Sequence, residues 1–177
     1  QDPQMRQRCF ELLEQSAQTS AAKLKFFRLA YGAAGGFGEQ VSIDEPKAVI
    51  ETLAADAKRV TLNWQIEAPA FSKPAVKVLL NLAHIALDAL VRGGTLDIGA
   101  EERDDVTEIV VRAAGTKIAF DPQIGEALAG RLDPTELTGR TAPAHLLSLI
   151  AGRLGGNIQT HADAGTLVLG ANLPHAQ

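Results

Sequence analysis

Residues 143–174 leave little freedom. Leu146, Leu147, Ile150 and Leu154 read as a helix that Gly155-Gly156 stops, followed by strands over 157–162 and 166–172 with a tight turn between. A helix passing straight into two antiparallel strands must lay its apolar face on the sheet they join, so this end of the chain is helix-on-sheet.

The middle of the chain supplies the other layers. Val60, Leu62, Trp64 and Ile66 alternate with polar residues, which predicts a half-buried strand over 59–66. Further strands are expected at 95–99, 107–113 and 116–120, with a short helix near 123–130. Ser42 and Glu45 have capping-box spacing ahead of a helix with Pro46 in its first turn. Ser72 caps a longer helix, with Pro74 in its first turn, that runs to about Val91. On that helix Lys73, Lys77, Asn81, His84, Asp88 and Arg92 form one polar stripe on an apolar cylinder, so one face is expected open and the rest buried. The pattern is α+β, a two-layer α/β sandwich.

Residues 3–31 are different in kind. Phe10, Leu13, Ala17, Ser20, Leu24, Phe27 and Tyr31 recur at alternating spacings of three and four, the seam of a helical bundle. Such a seam needs a partner helix, and nothing else in the chain matches its length, so a homodimer or a preceding helix is expected. Phe10, Leu13, Ala17, Leu24, Phe27 and Tyr31 are the expected dimer and bundle core. Glycines between 32 and 38 make the best boundary, dividing a bundle segment over 1–35 from a sandwich over 39–177.

Composition excludes several classes. A net charge of −4 argues against nucleic acid, whose binders display a basic face. No apolar run reaches the roughly 18–20 residues that span a bilayer, so no membrane role is expected. Cys9 is the single cysteine, which leaves no disulfide framework or thiolate cluster and makes a cytoplasmic setting the default. The histidines (84, 145, 161 and 175) show no metal-ligand spacing, and none has the placement a nucleophile requires. His84 reads as part of a solvated face. The chain opens Gln1-Asp2-Pro3, with neither an initiator Met nor a signal peptide, so a segment before Gln1 is expected.

The order of bundle helix, glycine hinge and α/β sandwich resembles the dimerisation and ATPase modules of a histidine kinase. The run Ala22-Lys23-Leu24-Lys25-Phe26-Phe27-Arg28-Leu29-Ala30-Tyr31-Gly32 is similar to the second bundle helix of ChpT-type histidine phosphotransferases of bacterial phosphorelays. Leu79-Leu80-Asn81-Leu82, Gly93-Gly94 and Gly155-Gly156 also sit where that family has them. The resemblance covers the whole chain and implies a helical-hairpin segment followed by the kinase-like sandwich.

The same resemblance implies that nucleotide chemistry has been lost. A kinase coordinates Mg²⁺ through an Asn four residues after the Asn of its Asn-Leu pair; from Asn81 that position is Ile85, which offers no oxygen. Its adenine-binding Asp and glycines are replaced by Ala113-Ala114-Gly115-Thr116-Lys117. Its lid glycines are replaced by Ala142-Pro143-Ala144-His145, where proline removes an amide donor. Asn81, Ile85, Ala113 and Gly115 are therefore degenerate pocket positions, with no metal and no cofactor expected on this chain.

What the resemblance implies instead is a homodimeric histidine phosphotransferase. It relays phosphoryl groups between response-regulator receiver domains and the receiver of a hybrid histidine kinase, each receiver supplying its own Mg²⁺. The acceptor histidine is then expected on the first bundle helix, upstream of Gln1. Lys23, Lys25 and Arg28 lie off the seam, either as cations against the helix dipole or as a docking site for an acidic receiver. Two other readings stay open: a genuine ATP-binding kinase, which micromolar Mg-ATP affinity would favour, and a non-catalytic inhibitor that docks a kinase or receiver and transfers nothing.

Overall fold

The computed structural model describes residues 2–32, 39–57 and 59–175. Helix α1 (Pro3–Tyr31) begins at Asp2, whose carboxylate accepts from the Gln4 N–H at 3.0 Å, and ends where the Gly32 N–H closes on Arg28 O. Then come β1 (Gln40–Ser42), α2 (Asp44–Asp56), β2 (Val60–Gln65), β3 (Ala70–Ser72), α3 (Lys73–Ala89), β4 (Gly94–Arg103) and β5 (Val106–Ala114). A short α4 (Pro122–Leu128), one 3-10 turn (Pro134–Glu136), α5 (Ala142–Arg153), β6 (Asn157–Ala162) and β7 (Thr166–Pro174) complete the chain.

The main sheet has the order β2-β4-β5-β7-β6, with β2 parallel to β4 and every other pairing antiparallel. Alternation decides which face is inside. Leu96 and Ile98 of β4, Ile109, Val111 and Ala113 of β5, and Leu167, Leu169 and Ala171 of β7 point to one buried face. Register stacks them, with Ile98 opposite Val111 and Val111 opposite Leu169. Leu79, Leu80, Leu82 and Ala86 of α3 and Ala144, Leu147 and Ala151 of α5 close that core from above. The fold is the α+β two-layer sandwich that the pattern predicts.

Several expectations change. Residues 116–120 form no strand: the Ile118 N–H donates to Ala164 O and the Ala119 N–H to Ala89 O, so this backbone is satisfied by a turn and a helix end, not by a ladder. Helix α2 is entered through Ile43 without a side-chain cap, since Ser42 Oγ meets the Asp44 N–H and Glu45 turns to Arg28. The three-residue strands β1 and β3, paired antiparallel, are too short for alternation to announce. The glycine boundary expected at 32–38 lies, apart from Gly32, outside the described residues. Among the described residues no helix is long and apolar enough to cross a membrane.

The bundle helix is not separate from this core. Ala22, Phe26, Leu29 and Ala30 are buried against α2 and α3 and belong to the same hydrophobic cluster as the sandwich.

Candidate functional site: a cleft walled by the bundle helix

Helix α3 sets one wall. Ser72 Oγ accepts from the Ala75 N–H at 3.4 Å, and Pro74 occupies the first turn, so the helix starts where the sequence indicates. Two turns on, Asn81 sits among Leu79, Leu80 and Leu82 and is only 2% exposed. A buried amide must be paired. Its Nδ2 donates to Lys77 O at 2.9 Å, and its Oδ1 accepts from the Tyr31 hydroxyl at 2.6 Å. The face of α3 expected open stays open at Asp88 and Arg92, and α1 covers it at Asn81, whose buried amide is satisfied from that helix.

Aromatic contacts extend the seal. The Phe26 ring lies 4.8 Å from the His84 ring and meets Tyr31 edge-on at 6.2 Å, while Phe27 stacks on Tyr31 at 5.9 Å. His84 Nδ1 is 3.8 Å from Asp88 Oδ2. These groups open into a cleft of about 400 Å³ whose far side is Phe120, Ile124, Arg140 and Pro143. Arg140 reaches Asp121 at 3.9 Å, and Asp121 also caps α4 by accepting from the Gln123 N–H at 3.0 Å. Burial of the Tyr31 phenol pushes its ionisation above the ordinary tyrosine value.

Of the degenerate pocket positions, Asn81 and Ile85 line this cleft together. Ala113 does not: it is buried inside β5. Gly115 follows the strand, donates its N–H to Gly165 O at 3.0 Å, and lies so near Gly93 O that an added Cβ would come within 2.6 Å of it. The stretch that the resemblance sets at a kinase lid is closed on itself, with Thr141 Oγ1 accepting from the Thr138 N–H at 2.9 Å just before Pro143.

The bundle seam faces outward. Phe10, Leu13, Leu24 and Phe27 are exposed, Leu24 at 72%, as is Ala17 beside them. Tyr31 is the least exposed of these aromatic and leucine side chains, at 37%, and directs its hydroxyl into α3. Of the expected docking cations, Lys23 and Lys25 are exposed, and Lys25 borders a groove between α1 and α2. Arg28 is already engaged, its guanidinium paired with Glu45 of α2. His145 has a buried Nδ1 without a partner, His161 lies in edge strand β6, and His175 Nε2 is 3.0 Å from Thr107 Oγ1. Among the described residues no three His, Cys, Asp or Glu side chains converge on a metal position.

The second stripe of α1 (Ala22, Phe26, Leu29 and Ala30) is what the sequence reading passed over. Its spacing of four, three and one is visible in the sequence but is masked by the longer seam beside it.

Known proteins match this arrangement closely. The family described as histidine phosphotransferase C-terminal domain matches residues 43–166. The protein phosphotransferase ChpT of Brucella abortus (strain 2308) is 28% identical over 160 residues, 90% of this chain and 76% of that protein. A bacterial phosphotransferase solved at 1.7 Å superposes with a TM-score of 0.79 at 26% identity, covering 93% of this chain and 78% of that one. The nucleotide-free catalytic domain of histidine kinase ThkA shares the fold, with a TM-score of 0.58 at 18% identity over 76% of this chain and 92% of that one.

Proposed function

The chain belongs to the histidine phosphotransferase family, and from that premise we propose that it carries phosphoryl groups between receiver domains without drawing on a nucleotide. Phosphotransfer in two-component signalling is the activity of this phosphotransferase, and its partners are components of a phosphorelay. In the forward step an imidazole nitrogen attacks the phosphorus of a receiver's aspartyl phosphate. The P–N bond forms, the P–O bond to the carboxylate breaks, and the imidazole gives up its N–H proton. A second receiver aspartate reverses the sequence. Such chemistry asks the histidine protein for an exposed, rigidly held ring and leaves Mg²⁺ to the receiver.

The observation that carries the nucleotide-free reading is the cleft. Ile85 stands where a metal-binding amide is needed, and Asn81, the remaining amide on that wall, is spent on Tyr31 and Lys77. Pro143 lies at the opposite rim with no amide hydrogen to offer a phosphate. The accepting imidazole belongs to a helix that pairs with the outward seam of α1, giving a homodimeric bundle. Lys23 and Lys25 stand exposed on α1 for an acidic receiver to meet.

The test is transfer from a purified phosphorylated receiver to the full-length protein with no ATP present. Acid-labile, base-stable label that maps to a histidine peptide is the expected result. Label that appears only with added ATP, or Mg-ATP binding at micromolar affinity, would reject the nucleotide-free reading.

A further inference from the structure

We propose that Tyr31 is a positioning residue for phosphotransfer: its hydroxyl, seated on Asn81, sets the angle between the bundle helix and the sandwich, so that a receiver meets both as one fixed surface. This rests on the phosphotransfer reading and adds to it the part that holds the geometry.

Few groups can do this. Two further polar links between α1 and the sandwich, Arg28 with Glu45 and Thr19 Oγ1 to Asp56 Oδ1 at 3.1 Å, are exposed, and pairs of that kind contribute little. Ala22, Phe26, Leu29 and Ala30 glue α1 down, but apolar contact is non-directional and tolerates sliding. The Tyr31–Asn81 bond is short, joins positions 50 apart in sequence, and, unlike those two, is anchored on a residue that is itself buried. Asn81 Nδ2 is fixed by Lys77 O on its own helix, so the direction in which Oδ1 presents itself is set by α3. Phe26 and Phe27 hold the Tyr31 ring from two sides.

Leverage makes a small angle matter. Only the last third of α1 is buried, and at about 1.5 Å per residue Pro3 lies about 35 Å beyond Phe26. A tilt of roughly 10° at the contact would swing that end by about 6 Å, whereas misplacement by about 1 Å is enough to cost an in-line reaction about 100-fold. A loosened joint leaves only a fraction of molecules competent, and apparent affinity falls by that fraction while turnover of the docked complex does not.

Two variants of the full-length protein separate positioning from mere burial. Tyr31→Phe keeps the ring, removes the hydroxyl and orphans Asn81 Oδ1. Tyr31→Phe with Asn81→Leu removes both polar partners, which relieves the orphaned acceptor but does not restore a directional bond. Spin labels at Gln15→Cys on α1 and Gln159→Cys on β6, in a Cys9→Ser background diluted into unlabelled protein, read the angle directly. Both variants are expected to broaden the interlabel distance distribution. They should raise KM for the phosphorylated receiver about five- to tenfold with kcat unchanged, and the melting temperature should recover only in the double variant. A narrow distribution and native KM in Tyr31→Phe, or their full recovery in the double variant, would overturn the proposal. If the wild-type protein accepts no phosphoryl group, the phosphotransfer reading fails, and the distance measurement still decides whether Tyr31 sets the angle.

Discussion

Tyr31 is the only tyrosine in the chain, so its ionisation can be watched without interference. Burial holds the phenol neutral above its ordinary value of about 10. The folded state therefore keeps a proton that the unfolded state has released. Stability from this group is fully present below about pH 10 and is lost as pH rises through the raised folded value. Near-ultraviolet absorbance should show the phenolate appearing above the midpoint of a free tyrosine, and a midpoint at or below it would contradict the seat on Asn81. A second residue-scale prediction concerns Ile85. Ile85→Asn restores one oxygen to the cleft but leaves Pro143 on the lid side and alanine at 113, so titration calorimetry is expected to detect no Mg-ATP binding. Micromolar affinity in that variant would contradict the proposal that several parts of the site, and not Ile85 alone, keep nucleotide out.

At the scale of elements, local pattern was a good guide wherever a run was long enough to show its period. Helices α3 and α5 and strands β2, β4, β5, β6 and β7 stand within a few residues of their expected places because alternation and caps act locally. Asp121 and Asp133 act equally locally as caps: their carboxylates accept from the Gln123 and Thr135 N–H groups. What stayed illegible is long-range. No local signal tells that Asn81 is covered, because its cover is 50 residues away, and β1 and β3 stabilise each other only once the chain has folded. The junction between α5 and β6 offers a paired test. A Cβ at Gly156 would stand 2.0 Å from Asn172 O and force β6 off β7, so Gly156→Ala is expected to cost about 3 kcal/mol in urea unfolding. Gly152, four residues earlier on the exposed side of α5, has nothing within 4 Å of an added Cβ, so Gly152→Ala should stabilise by up to about 1 kcal/mol. Equal effects at the two sites would mean that the β6–β7 backbone yields to the added methyl at Gly156 and that the close approach to Asn172 O is not rigid.

At the scale of the whole molecule the unusual feature is helix α1, apolar on two faces of which this chain covers one. Phe26 and its neighbours are used internally, so Phe26→Ala is expected to cost about 3–5 kcal/mol and to release α1 from the sandwich. The seam of Phe10, Leu13, Leu24 and Phe27 is left in water, and a contiguous apolar surface of that kind marks an association site. Substitution there separates folding from assembly, because a side chain already exposed loses no intramolecular contact when it becomes polar. Leu13→Asp together with Leu24→Asp should leave the melting temperature of dilute protein unchanged. A two-fold bundle would bury those leucines four times, each worth about 1.5–3 kcal/mol, and would have to bury four carboxylates instead. Sedimentation equilibrium is therefore expected to show the dissociation constant rising at least about 100-fold, a loss of only about 2.7 kcal/mol from that gross term. Unchanged association would overturn the proposal that this seam is the dimer contact. A fall in melting temperature matching that of Phe26→Ala would show instead that the seam folds back on its own chain. On the proposed homodimer the two faces of α1 divide the work: one packs on the sandwich, the other would build the bundle, and only the second should respond to protein concentration.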